Sequence, residues 1–170
     1  MKKMNKHSSK TKMKQDDEYY TQPSTWELVL PYINRIDVLY EPFYGQGHTL
    51  KFFNENKYCM IGTKDADFFT NEKDLRDCDV VVSNPPFTKK YPIMKKLVDC
   101  KKPFILILPL SSINTLSFRN CFNNDMKDVS IMIPKGRIKF IQKGSVKKSP
   151  SFESCFVCWK IDLPQKLIFL

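Results

Sequence analysis

The stretch Asp79-Val-Val-Val-Ser-Asn-Pro-Pro-Phe87 constrains the fold of this chain more than any other feature. Three consecutive valines favour a buried β-strand over residues 79–83. The two prolines that follow Asn84 lack amide donors and have fixed φ angles, so the chain leaves this strand in a stiff turn. We therefore expect a buried strand that ends in a turn whose carbonyl oxygens can act as acceptors.

A turn of this kind suits a substrate that carries an amino group. The side-chain carbonyl of Asn84 and the backbone carbonyl of Pro85 can accept both protons of an exocyclic NH₂, which aims the nitrogen lone pair at an electrophile. Pro86 stiffens the turn, and Phe87 would stack on the flat base that bears the amine. The candidate catalytic residues are therefore Asn84, Pro85, Pro86 and Phe87, and the alternative is a plain strand end followed by a loop.

A second turn joins a strand at residues 36–40 to a helix at residues 49–56, and it contains Gly45 and Gly47. The order strand, glycine turn, helix brings the backbone close to a nucleotide-like cofactor at the carboxyl ends of the strands. A dinucleotide fingerprint would need a third glycine where Leu50 stands, which disfavours a nicotinamide-dependent oxidoreductase.

The rest of the chain alternates short apolar strands with helices, which predicts an α/β sheet covered on both faces. The predicted helix at residues 89–100 turns Ile93, Leu97 and Met94 inward, and Ser24 is the candidate cap of a helix through residue 30. Another helical segment lies near residues 114–123. The further predicted strands are residues 58–61, 103–109, 129–133, 137–141 and 152–161.

Charge favours a polyanionic partner. Lysine and arginine number 28 against 18 acidic residues, for a formal charge of +10 and a pI near 9.3, which favours nucleic acid through counterion release. Residues 1–15 have no apolar period, so we predict a disordered basic arm that is a solvated tail, a phosphate contact or a nuclear-import signal. Its lysines are Lys2, Lys3, Lys6, Lys10, Lys12 and Lys14.

The cysteines and histidines predict neither disulfides nor a metal site. Six cysteines are spread through apolar runs with no secretory signal, so reduced, buried thiols in an intracellular protein are expected. The spacing of Cys155 and Cys158 within one strand points their side chains to opposite faces, and no second ligand pair accompanies them. The longest apolar run, residues 103–110, is too short to span a bilayer, so no membrane association is expected.

The two turns together resemble a known enzyme family. Glu41-Pro-Phe-Tyr-Gly-Gln-Gly47 resembles the cofactor-binding motif of class I adenine N6-methyltransferases, and Asn84-Pro-Pro-Phe87 resembles their catalytic motif. The segment Asp17-Glu-Tyr-Tyr-Thr-Gln-Pro23 is similar to their amino-terminal cofactor motif, with Gln22 inserted. The resemblance implies a Rossmann-like class I methyltransferase fold over residues 16–170: a mostly parallel seven-stranded sheet, with one strand short or lost near residues 70–78.

The resemblance also implies S-adenosylmethionine as cofactor and a set of residues to hold it. Asp65 would bind the ribose hydroxyls, Asp67 would meet the adenine amine of the cofactor, and Phe68 would pack on its ring. No metal is implied. The full implied cofactor set is Tyr20, Thr21, Glu41, Phe43, Gly45, Gly47, Asp65, Asp67 and Phe68.

Two segments late in the chain, residues 134–140 and 149–154, resemble the carboxy-terminal region of phage-type and giant-virus-type adenine methyltransferases. Residues 134–140 and 149–154 would border the target-base pocket, although a β-hairpin with exposed lysines explains much of the same pattern. About 80 residues after the catalytic motif leave little room for a recognition region. We therefore expect the recognised DNA sequence to be short or loosely defined, or the specificity to come from a protein partner. The candidate nucleic-acid contacts are Lys89, Lys90, Arg137, Lys147 and Lys148.

The function expected from the sequence is methylation of adenine N6 in DNA, with the target base flipped out of the stack. The same turn would also suit adenine in RNA or a glutamine side chain. A non-catalytic nucleic-acid-binding module on this fold is the alternative from a different class.

Overall fold

The computed structural model describes residues 19–142 and 152–170. The basic arm predicted for residues 1–15 lies outside the described residues, as do Lys147 and Lys148. The strands are β1 (Tyr19–Thr21), β2 (Val38–Tyr40), β3 (Cys59–Ile61), β4 (Val80–Ser83), β5 (Phe104–Pro109), β6 (Val129–Ile133), β7 (Phe140–Gln142), β8 (Ser154–Trp159) and β9 (Leu167–Phe169). The α-helices are α1 (Pro23–Glu27), α2 (His48–Glu55), α3 (Glu72–Asp77), α4 (Lys90–Asp99) and α5 (Leu116–Cys121), and 3₁₀ turns occupy Leu30–Tyr32, Phe87–Lys89 and Leu110–Asn114.

The main sheet has seven strands in the order β3-β2-β4-β5-β8-β6-β9. The four strands from β3 to β5 are parallel, β8 runs antiparallel to both of its neighbours, and β9 is parallel to β6. The predicted α/β sheet of seven mostly parallel strands is therefore confirmed.

The strand that the resemblance implied to be short or lost near residues 70–78 is absent, and the main sheet takes its seventh strand from elsewhere in the chain. No strand forms between residues 70 and 78; instead α3 occupies this stretch, with the Asn71 side chain accepting a hydrogen bond from the Asp74 amide as its cap. Two acidic residues in the first turn favour the same helix. The sheet gains its seventh strand at the opposite edge, where β9 pairs with β6, and β9 was not predicted.

A second, two-stranded sheet pairs the first described residues with residues 140–142. In it β1 pairs antiparallel with β7, with Thr21 opposite Phe140. The strand predicted at residues 137–141 is thus shifted to residues 140–142 and lies outside the main sheet. This pairing holds Tyr20 and Thr21 at the edge of the cleft described below.

The first helix begins differently from the prediction. Its N-cap is Gln22 and its first residue is Pro23, with no side-chain cap, so the predicted cap at Ser24 is wrong. Proline at the first helical position needs no amide donor and already has a helical φ, which explains the earlier start. The helix ends at Glu27, and Pro31 lies in the 3₁₀ turn that follows.

The core lies on both faces of the main sheet. Residues Ile93, Met94 and Leu97 of α4 are fully buried against one face, as predicted. Cys155 belongs to the apolar cluster on that face and Cys158 to the cluster on the other, which confirms that they point in opposite directions. The expectation of six buried thiols is wrong for two of them, because Cys59 and Cys100 are exposed.

Within the described part of the chain, no helix combines the length and apolar character needed to cross a bilayer.

Candidate functional site

A cleft of about 420 Å³ opens where β2 and β4 end. These strands are adjacent and parallel, with Tyr40 opposite Val81, so the turns that follow them leave the same edge of the sheet. The cleft therefore brings together the two turns that the sequence singled out. Its walls are formed by Tyr20, Thr21, Glu41, Pro42, Phe43, Tyr44, Gly45, His48, Thr49, Thr63, Asp65, Ala66, Asn84, Pro85, Pro86 and Phe87.

The glycine turn has a backbone conformation that requires glycine. Gly45 and Gly47 have φ angles of +52° and +76°, in the left-handed region that side chains disfavour. The Gly47 amide donates to the Tyr44 carbonyl at 2.7 Å, and Gly47 is the N-cap of α2. A Cβ at Gly47 would lie 2.8 Å from the Tyr44 hydroxyl oxygen, and one at Gly45 would lie 3.1 Å from the Tyr20 ring. At Gly45 the turn thus presents backbone, rather than a side chain, to the cleft.

Glu41 is the buried carboxyl of the cleft, with 2% of its surface exposed. One carboxylate oxygen accepts the Phe43 amide at 3.0 Å and also accepts the Ser83 hydroxyl, and the Thr49 hydroxyl donates to the same carboxyl. Burial raises the pKa of Glu41 to about 8, although the three hydrogen bonds oppose this rise. None of the ion pairs found among residues 19–142 and 152–170 includes Glu41, so no protein cation in these ranges would balance its charge if it lost its proton.

The Asn-Pro-Pro-Phe turn follows the last residue of β4. The Pro86 carbonyl accepts the Lys89 amide at 2.9 Å, which closes the short 3₁₀ turn over Phe87–Lys89. Phe87 is partly buried, and its ring meets that of Phe152 edge-on. The turn is therefore supported from the chain segment that leads into β8.

The acidic loop after β3 places its two carboxylates differently. Asp65 lines the cleft with φ at +60°. Asp67 is exposed, and its side chain accepts the Phe69 amide at 2.8 Å instead of entering the cleft wall. Phe68 is buried with its ring centroid 5.5 Å from that of Phe43, so it supports a wall residue from behind. Asp67, Phe68 and Gly47 thus lie outside the cleft lining given above.

The cationic candidates have different surroundings. Lys89 is exposed two residues after Phe87, and the Lys90 ammonium donates to the Phe87 carbonyl at 3.1 Å. The Arg137 guanidinium donates to the Glu153 carboxylate at 2.8 Å, with about half of each side chain exposed. Arg137 is therefore already engaged by a carboxylate, whereas Lys89 faces solvent beside the cleft.

Sequence reasoning missed several residues of the cleft. His48 and Thr49 lie in the first turn of α2, and the His48 ring packs against Tyr20 with centroids 5.2 Å apart. The first turn of α2 directly follows the second glycine, and side chains in a first helical turn point back towards the carboxyl ends of the strands. This position could have indicated that His48 and Thr49 line the cleft. The other missed residues are Pro42, Tyr44, Thr63 and Ala66.

Comparison by sequence gives no match: no family model matches the chain, and no relative matches it among curated proteins. Comparison by structure does. A Listeria monocytogenes protein assigned as a class I S-adenosylmethionine-dependent methyltransferase matches with a TM-score of 0.51 at 14% identity, over 88% of this chain and 64% of that one. A precorrin-6Y C5,15-methyltransferase from Geobacter metallireducens gives a TM-score of 0.46 at 16% identity, over 85% and 95% of the two chains.

The chain thus spans about 64% of the length of the Listeria protein. At this identity the likeness concerns the fold, and it agrees with the strand order described above. The chain has the Rossmann-like α/β fold of the class I methyltransferases.

Proposed function

We propose that this chain is an S-adenosylmethionine-dependent methyltransferase that methylates the exocyclic N6 amine of adenine in DNA. The observation that carries the proposal is the single cleft shared by the glycine turn after β2 and the Asn84-Pro-Pro-Phe87 turn after β4. One turn suits a nucleotide-like cofactor and the other suits an amine, so donor and acceptor of a methyl group would meet there. The activity assigned to the Listeria neighbour supports the same class of reaction.

Four features of the cleft fit the proposed cofactor. Its volume of about 420 Å³ lies within the range of small-molecule sites. Glu41 offers a buried carboxyl, without a partner cation in the described chain, to a positively charged ligand group. Asp65 offers exposed carboxylate oxygens that can accept bonds from ribose hydroxyls. Gly45 leaves backbone exposed between these groups.

The other wall would hold and orient the amine. The cofactor supplies an electrophilic methyl group on a sulfonium. The Asn84 side-chain carbonyl and the Pro85 carbonyl would accept the two amine protons, which turns the nitrogen lone pair towards that methyl group. Phe87 would stack on the adenine ring after the base has been flipped out of the duplex. Residues of this chain thus supply position and hydrogen bonds, and the nitrogen proton leaves to water.

A nucleic-acid substrate agrees with the charge of the chain. A formal charge of +10 attracts the phosphate backbone of a nucleic acid, whereas a protein substrate would not require it. Lys89 beside the cleft is the first candidate contact, with Lys90, Arg137, Lys147 and Lys148 as further ones. Adenine in RNA and a glutamine side chain present similar amines to the same turn, so they are the substrates against which DNA must be tested.

The test has two steps. Calorimetry with S-adenosylmethionine comes first, and we expect saturable binding by the parent chain; no binding would favour a nucleic-acid-binding module without turnover. Labelled cofactor is then offered with duplex DNA, RNA and a protein extract, and we expect label in DNA. Asn84→Ala should abolish transfer, whereas Asn120→Ala, an exposed asparagine of α5, serves as the matched control. Label in RNA or protein alone would contradict the proposed substrate.

A further inference from the structure

A buried serine links the two turns of the cleft. Ser83 is the last residue of β4, is 0% exposed, and directly precedes Asn84. Its hydroxyl donates to the carboxyl of Glu41, the first residue after β2. The bond therefore joins the beginning of the cofactor turn to the residue next to the proposed amine acceptor.

The bond between Ser83 and Glu41 lies just beyond the last backbone pair of β2 and β4. Backbone pairing between β2 and β4 runs through Tyr40 opposite Val81, and the Glu41 amide then donates to Ile61 of β3 instead. Backbone pairing between β2 and β4 thus ends where the cleft opens. On its other side Ser83 pairs with Leu106 of β5. The side-chain bond to Glu41 spans the gap that backbone hydrogen bonds have left, so it holds the end of β4 against the cofactor turn.

We propose that Ser83 is a positioning residue: by donating to Glu41 it couples the charge of that carboxyl to the placement of Asn84. An ionised carboxylate is a stronger acceptor than a neutral carboxylic acid, so the link tightens when Glu41 loses its proton. A cationic ligand group in the cleft favours the ionised form. Binding of the cofactor would then fix Asn84 before the amine arrives. This inference rests on the function proposed above.

Burial supports the protonated starting state, because it raises the pKa of Glu41 to about 8 and the Ser83 bond lowers it again. Other titratable groups also face this end of the cleft, so their contributions must be separated. They are Tyr20 from β1, Tyr40 from β2, Tyr44 from the glycine turn, His48 from α2 and Asp65 from the loop after β3. A parallel His48→Gln variant removes the imidazole, so that any pH dependence that remains can be assigned to Glu41.

The experiment measures cofactor binding by calorimetry from pH 6 to 9 in two buffers with different ionisation enthalpies, which counts protons exchanged on binding. The parent chain should bind S-adenosylmethionine more tightly as the pH rises, with release of a proton near neutrality. In Ser83→Ala the lost donor raises the pKa of Glu41 further, so the midpoint should move upward by roughly one pH unit. Ser83→Thr keeps the hydroxyl and should restore the parental midpoint, and Glu41→Gln should abolish proton release.

Turnover gives the second readout. Ser83→Ala should lower kcat for the methyl acceptor roughly tenfold through misplacement of Asn84, with little change in the acceptor KM. Ser130→Ala removes another buried serine, in β6, and should leave both kinetic parameters and the pH midpoint as in the parent. If Ser83→Ala does not fold, Ser83→Cys keeps a side chain of similar size with a weaker donor and replaces it.

The outcomes separate this inference from the function on which it rests. A parent chain that binds no S-adenosylmethionine overturns both. A parent that binds the cofactor and transfers methyl groups, with Ser83→Ala matching it in pH midpoint and kcat, leaves the function standing and overturns the role of Ser83. Equal losses in Ser83→Ala and Ser130→Ala would overturn it as well, because they would indicate a general effect of removing a buried hydroxyl.

Discussion

The rings of Phe87 and Phe152 meet edge-on, with centroids 5.4 Å apart and planes inclined at 76°. Edge-to-face pairs of this kind are favourable beyond the area they bury, and they fix the orientation of both rings. Phe87 belongs to the turn after β4, whereas Phe152 lies two residues before β8. The contact therefore sets the orientation of the ring that we propose to stack on the target base.

Removing this support should impair the methyl acceptor more than the cofactor. We expect Phe152→Ala to lower kcat/KM for DNA roughly fivefold, since an edge-to-face pair contributes about 1 kcal/mol and its loss frees the Phe87 ring. Affinity for S-adenosylmethionine should stay at the parental value. Phe169→Ala, which removes a ring that is 74% exposed on β9, is the control. Weaker cofactor binding at unchanged kcat/KM for DNA would contradict this assignment.

Substitution of Gly47 should destabilise the chain and weaken cofactor binding. Alanine there meets a φ of +76° and the Tyr44 hydroxyl at 2.8 Å, so we expect Gly47→Ala to cost about 1–2 kcal/mol of unfolding free energy. Gly136→Ala is the matched control, because nothing lies within 4 Å of its added Cβ. Denaturant titration of both variants checks this, and equal stability of the two would show that the turn tolerates a side chain.

The stability of the cofactor-free protein should fall as the pH rises through neutrality. The pKa of Glu41 is raised from 4.5 to about 8, so the folded state holds this proton more tightly than the unfolded state. The stabilisation is complete below pH 4.5 and is lost as the pH approaches 8. We expect a decrease on the order of 4 kcal/mol, measured by denaturant titration. Glu41→Gln has no such proton, so a parent chain with the same flat profile as Glu41→Gln would contradict the assignment.

Lys89→Ala and the release of Arg137 from its ion pair should change DNA binding in opposite directions. Lys89→Ala should reduce the slope of log affinity against log salt by about one, as expected for one lost phosphate contact. Glu153→Ala should strengthen DNA binding, because it releases Arg137 from its ion pair. Lys127→Ala is the control. Lys127 precedes the amino end of β6, whereas the cleft lies at the carboxyl ends of β2 and β4, and Lys127 pairs with Asp125. Unchanged salt dependence in Lys89→Ala would exclude Lys89 as a contact.

Local patterns predicted the parts of the site that are themselves local. The strand and turn around Asn84, and the glycine turn at Gly45, could be located because prolines and glycines fix backbone geometry within a few residues. Both turns lie in the cleft because parallel strands end at the same edge of a sheet. The three-residue strands β1 and β9 could not be predicted this way, since each is defined by partners far away in the chain.

Side-chain placement was predicted less well than backbone geometry. Asp65 and Asp67 are two residues apart in one loop, and only Asp65 lines the cleft, while Asp67 accepts a nearby amide. Short carboxylate side chains form such local bonds readily, so an acidic pair in a loop does not indicate which member faces a ligand. The Ser83 bond to Glu41 is equally hidden in the sequence, because 42 residues separate the two partners.

The most direct test of the central claim is the nucleoside composition of DNA from cells that express the chain. We expect N6-methyladenine in DNA digests, measured by mass spectrometry, when the parent is expressed, and none above background with Asn84→Ala. Equal amounts of N6-methyladenine with both chains would contradict the role of Asn84. Its absence with a parent chain that is folded and binds S-adenosylmethionine would contradict adenine in DNA as the substrate.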